Sequence, residues 1–181
     1  VNFSNVRIVL VATSHPGNIG STARAMKNMG LSHLVLVAPK VWPAREAVSM
    51  AASAQDILEN AVVVETMEEA ITDCQLVLGT SARLRAMPVQ LLEPDACAAL
   101  VAGKMATSKI ALVFGREISG LTNHELHQCH YHVHIPVNPD YSSLNLASAV
   151  LVLCYELRKA VLAGVKVEEV AQNQSWDQVP A

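Results

Sequence analysis

The 181-residue chain predicts an α/β fold, a mostly parallel sheet with helices on both faces. Two observations carry that prediction. Short aliphatic runs alternate with longer amphipathic segments, the order expected of strand–helix–strand units. In addition, 51% of residues are hydrophobic but only 4% are aromatic, the Val/Ile/Leu-rich profile of strands buried on both sides. Strands are expected at 6–12, 34–38, 61–64, 76–79, 110–114 and 132–137. Between them, Thr66-Met67-Glu68-Glu69 and Thr122-Asn123-His124-Glu125 fit the capping box, in which a Thr hydroxyl and a Glu three residues on satisfy the free N–H groups of a helix start. A last helix is expected from about 143 to 162, with Ser142 or Ser143 as N-cap. Residues 1–164 read as one domain, and 165–181 as a polar tail or the start of a linker.

Composition narrows the function classes. The chain is too apolar for disorder, and its longest aliphatic runs, about five or six residues, fall far short of the roughly 18 to 20 needed to cross a bilayer. Cys74, Cys97, Cys129 and Cys154 are widely spaced with no C-x-x-C pair and read as reduced core residues. No secretory pattern precedes the first strand, so the expected compartment is the cytoplasm. The formal net charge of −3 argues against a simple nucleic-acid binder.

In parallel sheets, ligand sites gather at the carboxyl ends of strands, so the loops after the strands matter most. The first carries His15-Pro16-Gly17-Asn18-Ile19-Gly20-Ser21-Thr22-Ala23-Arg24. It has two glycines but not the G-x-G-x-x-G fingerprint, and neither a Walker A loop nor a G-x-S-x-G elbow occurs, which lowers nicotinamide, phosphate-transfer and hydrolase readings. Arg24, expected about one turn into a helix, could grip a phosphate through both arms of its guanidinium or be an ordinary solvated side chain. The loop after the fourth strand, Gly79-Thr80-Ser81-Ala82-Arg83-Leu84-Arg85, offers small residues followed by two cations. After the fifth, Gly115-Arg116-Glu117 sets a charge pair at the expected ligand edge, or a salt bridge that holds the loop. The sixth leads through Ile135-Pro136 to Ser142-Ser143-Leu144-Asn145, where Asn145, at the start of a very apolar helix, needs a partner.

Three of these loops together resemble the SpoU class of RNA 2′-O-ribose methyltransferases within the SPOUT superfamily. The resemblance rests on Asn18-x-Gly20-x-x-x-Arg24, on Leu112-Val113-Phe114-Gly115-Arg116-Glu117-x-x-Gly120-Leu121, and on Ile135-Pro136 followed by Ser142-Ser143-Leu144-Asn145-Leu146-Ala147. With Gly79-Thr80-Ser81-Ala82-Arg83 and Cys129-His130-Tyr131, the chain looks most like the bacterial tRNA cytidine/uridine 2′-O-methyltransferases that modify position 32 of the anticodon loop. The resemblance implies a SPOUT fold with a C-terminal trefoil knot, a rare exception to the rule that chains do not thread loops. It implies S-adenosylmethionine held by Thr80, Ser81, Ala82, Gly115, Ile135, Ser142, Ser143 and Leu144. It also implies a homodimer with a shared active site, tRNA as substrate, and a further C-terminal segment in full-length members.

Arg24 and Ser143 are the expected catalytic residues. A guanidinium with a pKa above about 12 is seldom neutral near pH 7, so the role expected of Arg24 is to hold phosphate and stabilise the developing alkoxide, with Ser143 bonding substrate or loop. Asn18, Arg83, Arg85, Arg116, Glu117 and Asn145 are expected to support substrate or loops. His124, His127, His130, His132 and His134 are dense enough to raise a metal site, but they span two elements pointing different ways, and no metal is expected. The alternatives are a SPOUT enzyme acting on another RNA site or on a base, and a non-catalytic RNA-binding domain. The acidic total does not exclude RNA, because Arg24, Lys27, Arg83, Arg85 and Arg116 fall in or beside the site loops while no Lys or Arg lies between Glu46 and Ala82.

Overall fold

A computed structural model describes residues 1–81 and 89–176, with side chains described through residue 164. The elements are β1 (Val6–Val11), α1 (Pro16–Met29), β2 (His33–Val37), α2 (Arg45–Ala51), a 3-10 turn (Ala52–Ala54), α3 (Gln55–Glu59), β3 (Val62–Val64), α4 (Met67–Ile71), β4 (Leu76–Thr80), β5 (Leu91–Leu92), α5 (Pro94–Lys104), β6 (Ile110–Phe114), α6 (Asn123–His127), β7 (Tyr131–Val133) and α7 (Leu146–Trp176). The sheet runs β3-β2-β1-β6-β4-β7-β5, and every strand pairing is parallel. From β1 the chain first builds outward through β2 and β3, then crosses to fill the other side. The reversal point therefore lies between β1 and β6, where a doubly wound sheet opens a crevice at its carboxyl edge.

Alternation along each strand divides the core into two layers. Ile8, Leu10, Leu34, Leu36, Ile110 and Leu112 face one side, where α1 (Ile19, Met26), α2 (Ala47, Ala51), α5 (Cys97, Val101) and α7 (Leu153, Leu157) cover them. Val9, Val11, Val35, Val37, Ala111 and Val113 face the other, covered by α4 (Met67, Ala70) and α6 (Leu126). Each such aliphatic side chain, fully buried, contributes about 1.5–3 kcal/mol of transfer free energy. Burial also pushes the thiols of Cys97, Cys129 and Cys154 up to about 12, with the Glu125 charge adding to the effect at Cys129. Among the described residues, no helix is long and apolar enough to cross a membrane.

The departures from expectation have local causes. Residues 16–20, read as part of a Gly-rich loop, are helical: Pro16 starts α1 at a position where its missing N–H costs nothing. Gly20 is there because α2 lies against it, and a Cβ would collide with the Ala47 carbonyl oxygen. Arg24 thus sits about two turns into α1 rather than one. The last strand ends at Val133, short of 137, because Pro136 has no N–H to donate and the chain turns away from the sheet. The two-residue strand β5 is too short to show periodicity. Helix α7 starts at Leu146, capped not by Ser142 or Ser143 but by Asn145, whose Oδ1 accepts from the N–H groups of Ala147 (2.9 Å) and Ser148 (3.3 Å). Its backbone continues to Trp176, into the segment read as a polar tail. Thr122 and Glu125 form the full capping box, whereas at α4 Thr66 accepts from the Glu69 N–H while its hydroxyl donates to Glu69 Oε1.

Candidate active site

Loops leaving β4, β6 and β7 meet the start of α7 around a cavity of about 360 Å³, within the range of roughly 300–1,000 Å³ usual for small-molecule sites. Thr80, Ser81, Gly115, Ile135, Ser142, Ser143 and Leu144 all line it. Ala82, Arg83 and Arg85 lie outside the described residues. Each wall has a reason. The Thr80 hydroxyl donates to the Val113 carbonyl (3.1 Å), tying the end of β4 to β6, and the Ser81 N–H donates to the Val133 carbonyl (2.9 Å). Gly115 is required because a Cβ would run into the backbone of Gly120 and Leu121, which folds back over it. The remaining walls include Val137, Gly120 and Ile118, which is 96% exposed at the rim. Gly120 belongs to the motif that begins at Leu112, whereas sequence reasoning missed Val137 and Ile118, whose only signal is closeness in the chain to Ile135 and Gly115.

The Gly-Arg-Glu loop is held differently from the expected charge pair. Arg116 does not pair with Glu117. Its two arms grip Glu125 at 3.0 Å each, and one also reaches the Gly120 carbonyl (3.3 Å), closing the loop over Gly115. Burial pushes the Glu125 carboxyl up, but the Arg116 guanidinium and the Thr122 backbone N–H outweigh it and hold the group below the usual Glu range. Glu117 accepts instead from the backbone N–H groups of Ser14 (2.9 and 3.0 Å) and His15 (2.9 Å). It therefore anchors the start of α1 to the β6 loop. A second tie joins the same parts: Asn145 Nδ2 donates to Asn18 Oδ1 at 3.1 Å. The polar partner that Asn145 needs is thus on α1, together with its cap bonds to α7.

Arg24 and Asn18 do not line the cavity within one chain. Arg24 is exposed on α1, and no described side chain or carbonyl binds it. Of the other cations near the site, Lys27 is taken up by Asp56 (2.8 Å) and the Ser53 carbonyl (3.1 Å), and Arg116 by Glu125. Among described residues, Arg24 is therefore the cation of that set left for a ligand. Three of the clustered histidines make contacts within the fold. His130 Nδ1 accepts from the Val77 N–H (2.9 Å), buried His132 donates from Nε2 to the Leu126 carbonyl (3.0 Å), and His124 sits 3.4 Å from Glu68. No three His, Cys, Asp or Glu side chains converge among the described residues.

This geometry fits a small polar-apolar ligand held by backbone and small side chains, and comparison with known proteins agrees with it. Residues 5–155 match the model of the SpoU rRNA methylase family. A tRNA (cytidine/uridine-2′-O-)-methyltransferase TrmJ from Yersinia enterocolitica is 57% identical over 158 residues, 87% of this chain and 62% of the relative. A tRNA (cytidine/uridine/adenosine-2′-O-)-methyltransferase TrmJ from Pseudomonas aeruginosa is 58% identical, again over 87% of this chain and 62% of the relative. The chain thus spans somewhat under two thirds of the length of these curated relatives. A solved structure of a probable methylase family protein from Haemophilus influenzae Rd KW20 superposes with a TM-score of 0.87 at 55% identity, covering 91% of this chain and 70% of that one. The three motif loops, their convergence on one cavity and the family match over residues 5–155 lead to one conclusion: the chain belongs to the SpoU rRNA methylase family.

Proposed function

We propose that the chain transfers a methyl group from S-adenosylmethionine to a ribose 2′-oxygen of tRNA, at cytidine or uridine 32 of the anticodon loop, as a homodimer acting in the cytoplasm. The observation that carries this reading is that every described residue expected to hold the cofactor lines a single cavity. The identity to TrmJ relatives favours tRNA as the substrate. The trefoil knot belongs to the same reading, since it would bring three loops around one ligand.

When bound, the cofactor supplies an electrophilic methyl group. Gly115 lets the β6 loop approach the ligand closely, while Ile135, Leu144 and Val137 provide apolar walls. Ser142 and Ser143 are not consumed in capping α7, which leaves their hydroxyls for ligand or substrate. Arg24 keeps its charge and acts by position: it holds the phosphate next to the target ribose and stabilises negative charge developing on the 2′-oxygen. Since Arg24 lies outside its own chain's cavity, a second copy brings it to the site. The exposed Leu151, Tyr155 and Leu162 of α7 offer apolar surface for that association.

The test is methylation of unmodified tRNA with S-adenosylmethionine, followed by mapping of the modified nucleotide and sedimentation of the protein. Methyl transfer to the ribose at position 32 by a dimer is expected. Transfer to a base, or failure to bind S-adenosylmethionine at millimolar concentration, would overturn the proposal.

A further inference from the structure

We propose that His134 is a positioning residue for the cofactor pocket: its imidazole holds the Ser81 carbonyl and thereby sets the wall at the end of β4. The inference rests on the reading of the cavity as a cofactor site. Strand β7 pairs in parallel with β4 up to Thr80↔Val133. One further backbone bond follows, from the Ser81 N–H to the Val133 carbonyl (2.9 Å). There the backbone ladder ends: the next donor in register would be the Ile135 N–H, but the chain leaves the sheet after Val133. The next bond is made by a side chain. His134 Nδ1 lies 3.3 Å from the Ser81 carbonyl oxygen, and since a carbonyl only accepts, Nδ1 carries the hydrogen.

The peptide groups on both sides of the Ser81 α-carbon are therefore held by consecutive residues of the other strand. Meanwhile the His134 backbone N–H donates to the Leu92 carbonyl on β5 (2.9 Å), so this one residue binds the strand before and the strand after residues 82–88. Both Ser81 and Ile135, the neighbour of His134, line the cavity. A wall fixed in advance spares the ligand the cost of ordering it on binding. His134 touches neither ligand nor reacting atoms in this scheme; it acts through Ser81.

A neutral imidazole in this place must be the Nδ1–H form, and a protonated one donates equally well. The bond thus survives either charge state, which suits a structural fastening better than a switch.

Three variants of the full chain separate the donor from the ring. His134→Phe keeps a flat ring and removes the donor; His134→Asn keeps a donor at nearly the position of Nδ1 and removes the ring; His134→Ala removes both. Calorimetry with S-adenosylmethionine and with S-adenosylhomocysteine gives the affinities, and a thermal melt of the free protein checks folding. One hydrogen bond's worth of positioning corresponds to about three- to tenfold weaker binding for His134→Phe and His134→Ala, with His134→Asn within about twofold of wild type. In a methylation assay the same two variants raise KM for the cofactor and leave kcat nearly unchanged. If His134→Phe binds as tightly as wild type, or His134→Asn as weakly as His134→Ala, the inference falls while the parent reading stands. If the wild-type chain binds neither compound, the parent reading falls and takes the inference with it.

Discussion

The cavity and the Arg24 face of α1 are built in opposite ways. The cavity is closed by bonds within the chain: Thr80 to β6, Ser81 to β7, Arg116 to Glu125 across the loop, and Asn145 at the head of α7. Arg24 has none of this support. It stands exposed on a helix whose start is moored to the cavity loops by Glu117 and by Asn145, but its own side chain binds nothing described. The difference teaches a division of labour. The cavity is shaped before any ligand arrives, and under the proposed function Arg24 keeps its charge free for a tRNA whose phosphates would supply the missing acceptor.

The largest expected effect tests that division directly. Arg24→Ala should lower single-turnover methyl transfer by about 10²–10³-fold, the usual range for loss of one electrostatic stabiliser, with cofactor affinity within about twofold of wild type. Loss of cofactor binding in that variant would mean the two halves are not separable. The next test compares two glycines, one in each half. Gly115→Ala forces a Cβ into the backbone of Gly120 and Leu121, and Gly20→Ala forces one into Ala47. Each should cost about 1–3 kcal/mol in chemical denaturation. Calorimetry should then show cofactor binding weakened in the first and largely kept in the second. Equal loss in both would break the comparison.

The smallest effect concerns acid. The Glu125 carboxyl is held below its ordinary value in the folded protein, so its pairing with Arg116 adds stability above that value and loses it as pH falls through the lower folded one. Below about pH 4, near the ordinary Glu value, this contribution should fade. Glu125→Gln should cost about 1–2 kcal/mol at pH 7, in line with a partly buried charged hydrogen bond, and flatten the stability profile between about pH 5 and 3. An unchanged acid profile would show that the loop over Gly115 does not depend on that pair. Asp73, held well below the usual range first by Arg7 and then by Lys109, starts to lose its own contribution near the ordinary Asp value, inside the same window, so the Glu125 part is read as the difference between the wild-type and Glu125→Gln profiles.

The sheet and much of the cavity lining were legible in sequence, because aliphatic runs of four to six residues and short motifs with fixed spacing leave a local trace. The role of side chains across loops was not. Nothing in Gly115-Arg116-Glu117 says that Arg116 will turn to Glu125 while Glu117 turns to the backbone of Ser14 and His15, since both are choices made by the three-dimensional approach of distant loops. Likewise Ser142, Ser143 and Asn145 are all good N-caps by type, and only the direction in which the chain enters α7 picks Asn145. The helical segment 16–20 was misread because two glycines ordinarily argue for a loop; the packing of α2 against Gly20 reverses that.

The Asn145 amide has one more effect, on polarity. Its oxygen must face the N–H groups that open α7, so its nitrogen must face Asn18, and the Asn18 oxygen must be the end that answers. That fixes which way round the Asn18 amide sits and assigns its NH₂ to the outer side of the contact. A helix start therefore dictates, through two side chains, that α1 presents a donor rather than an acceptor there. For a partner rich in phosphate and ribose oxygens this is the favourable sign. Asn145→Asp would keep the cap yet set two acceptors against each other, turning the Asn18 amide over and reversing that sign without moving the backbone.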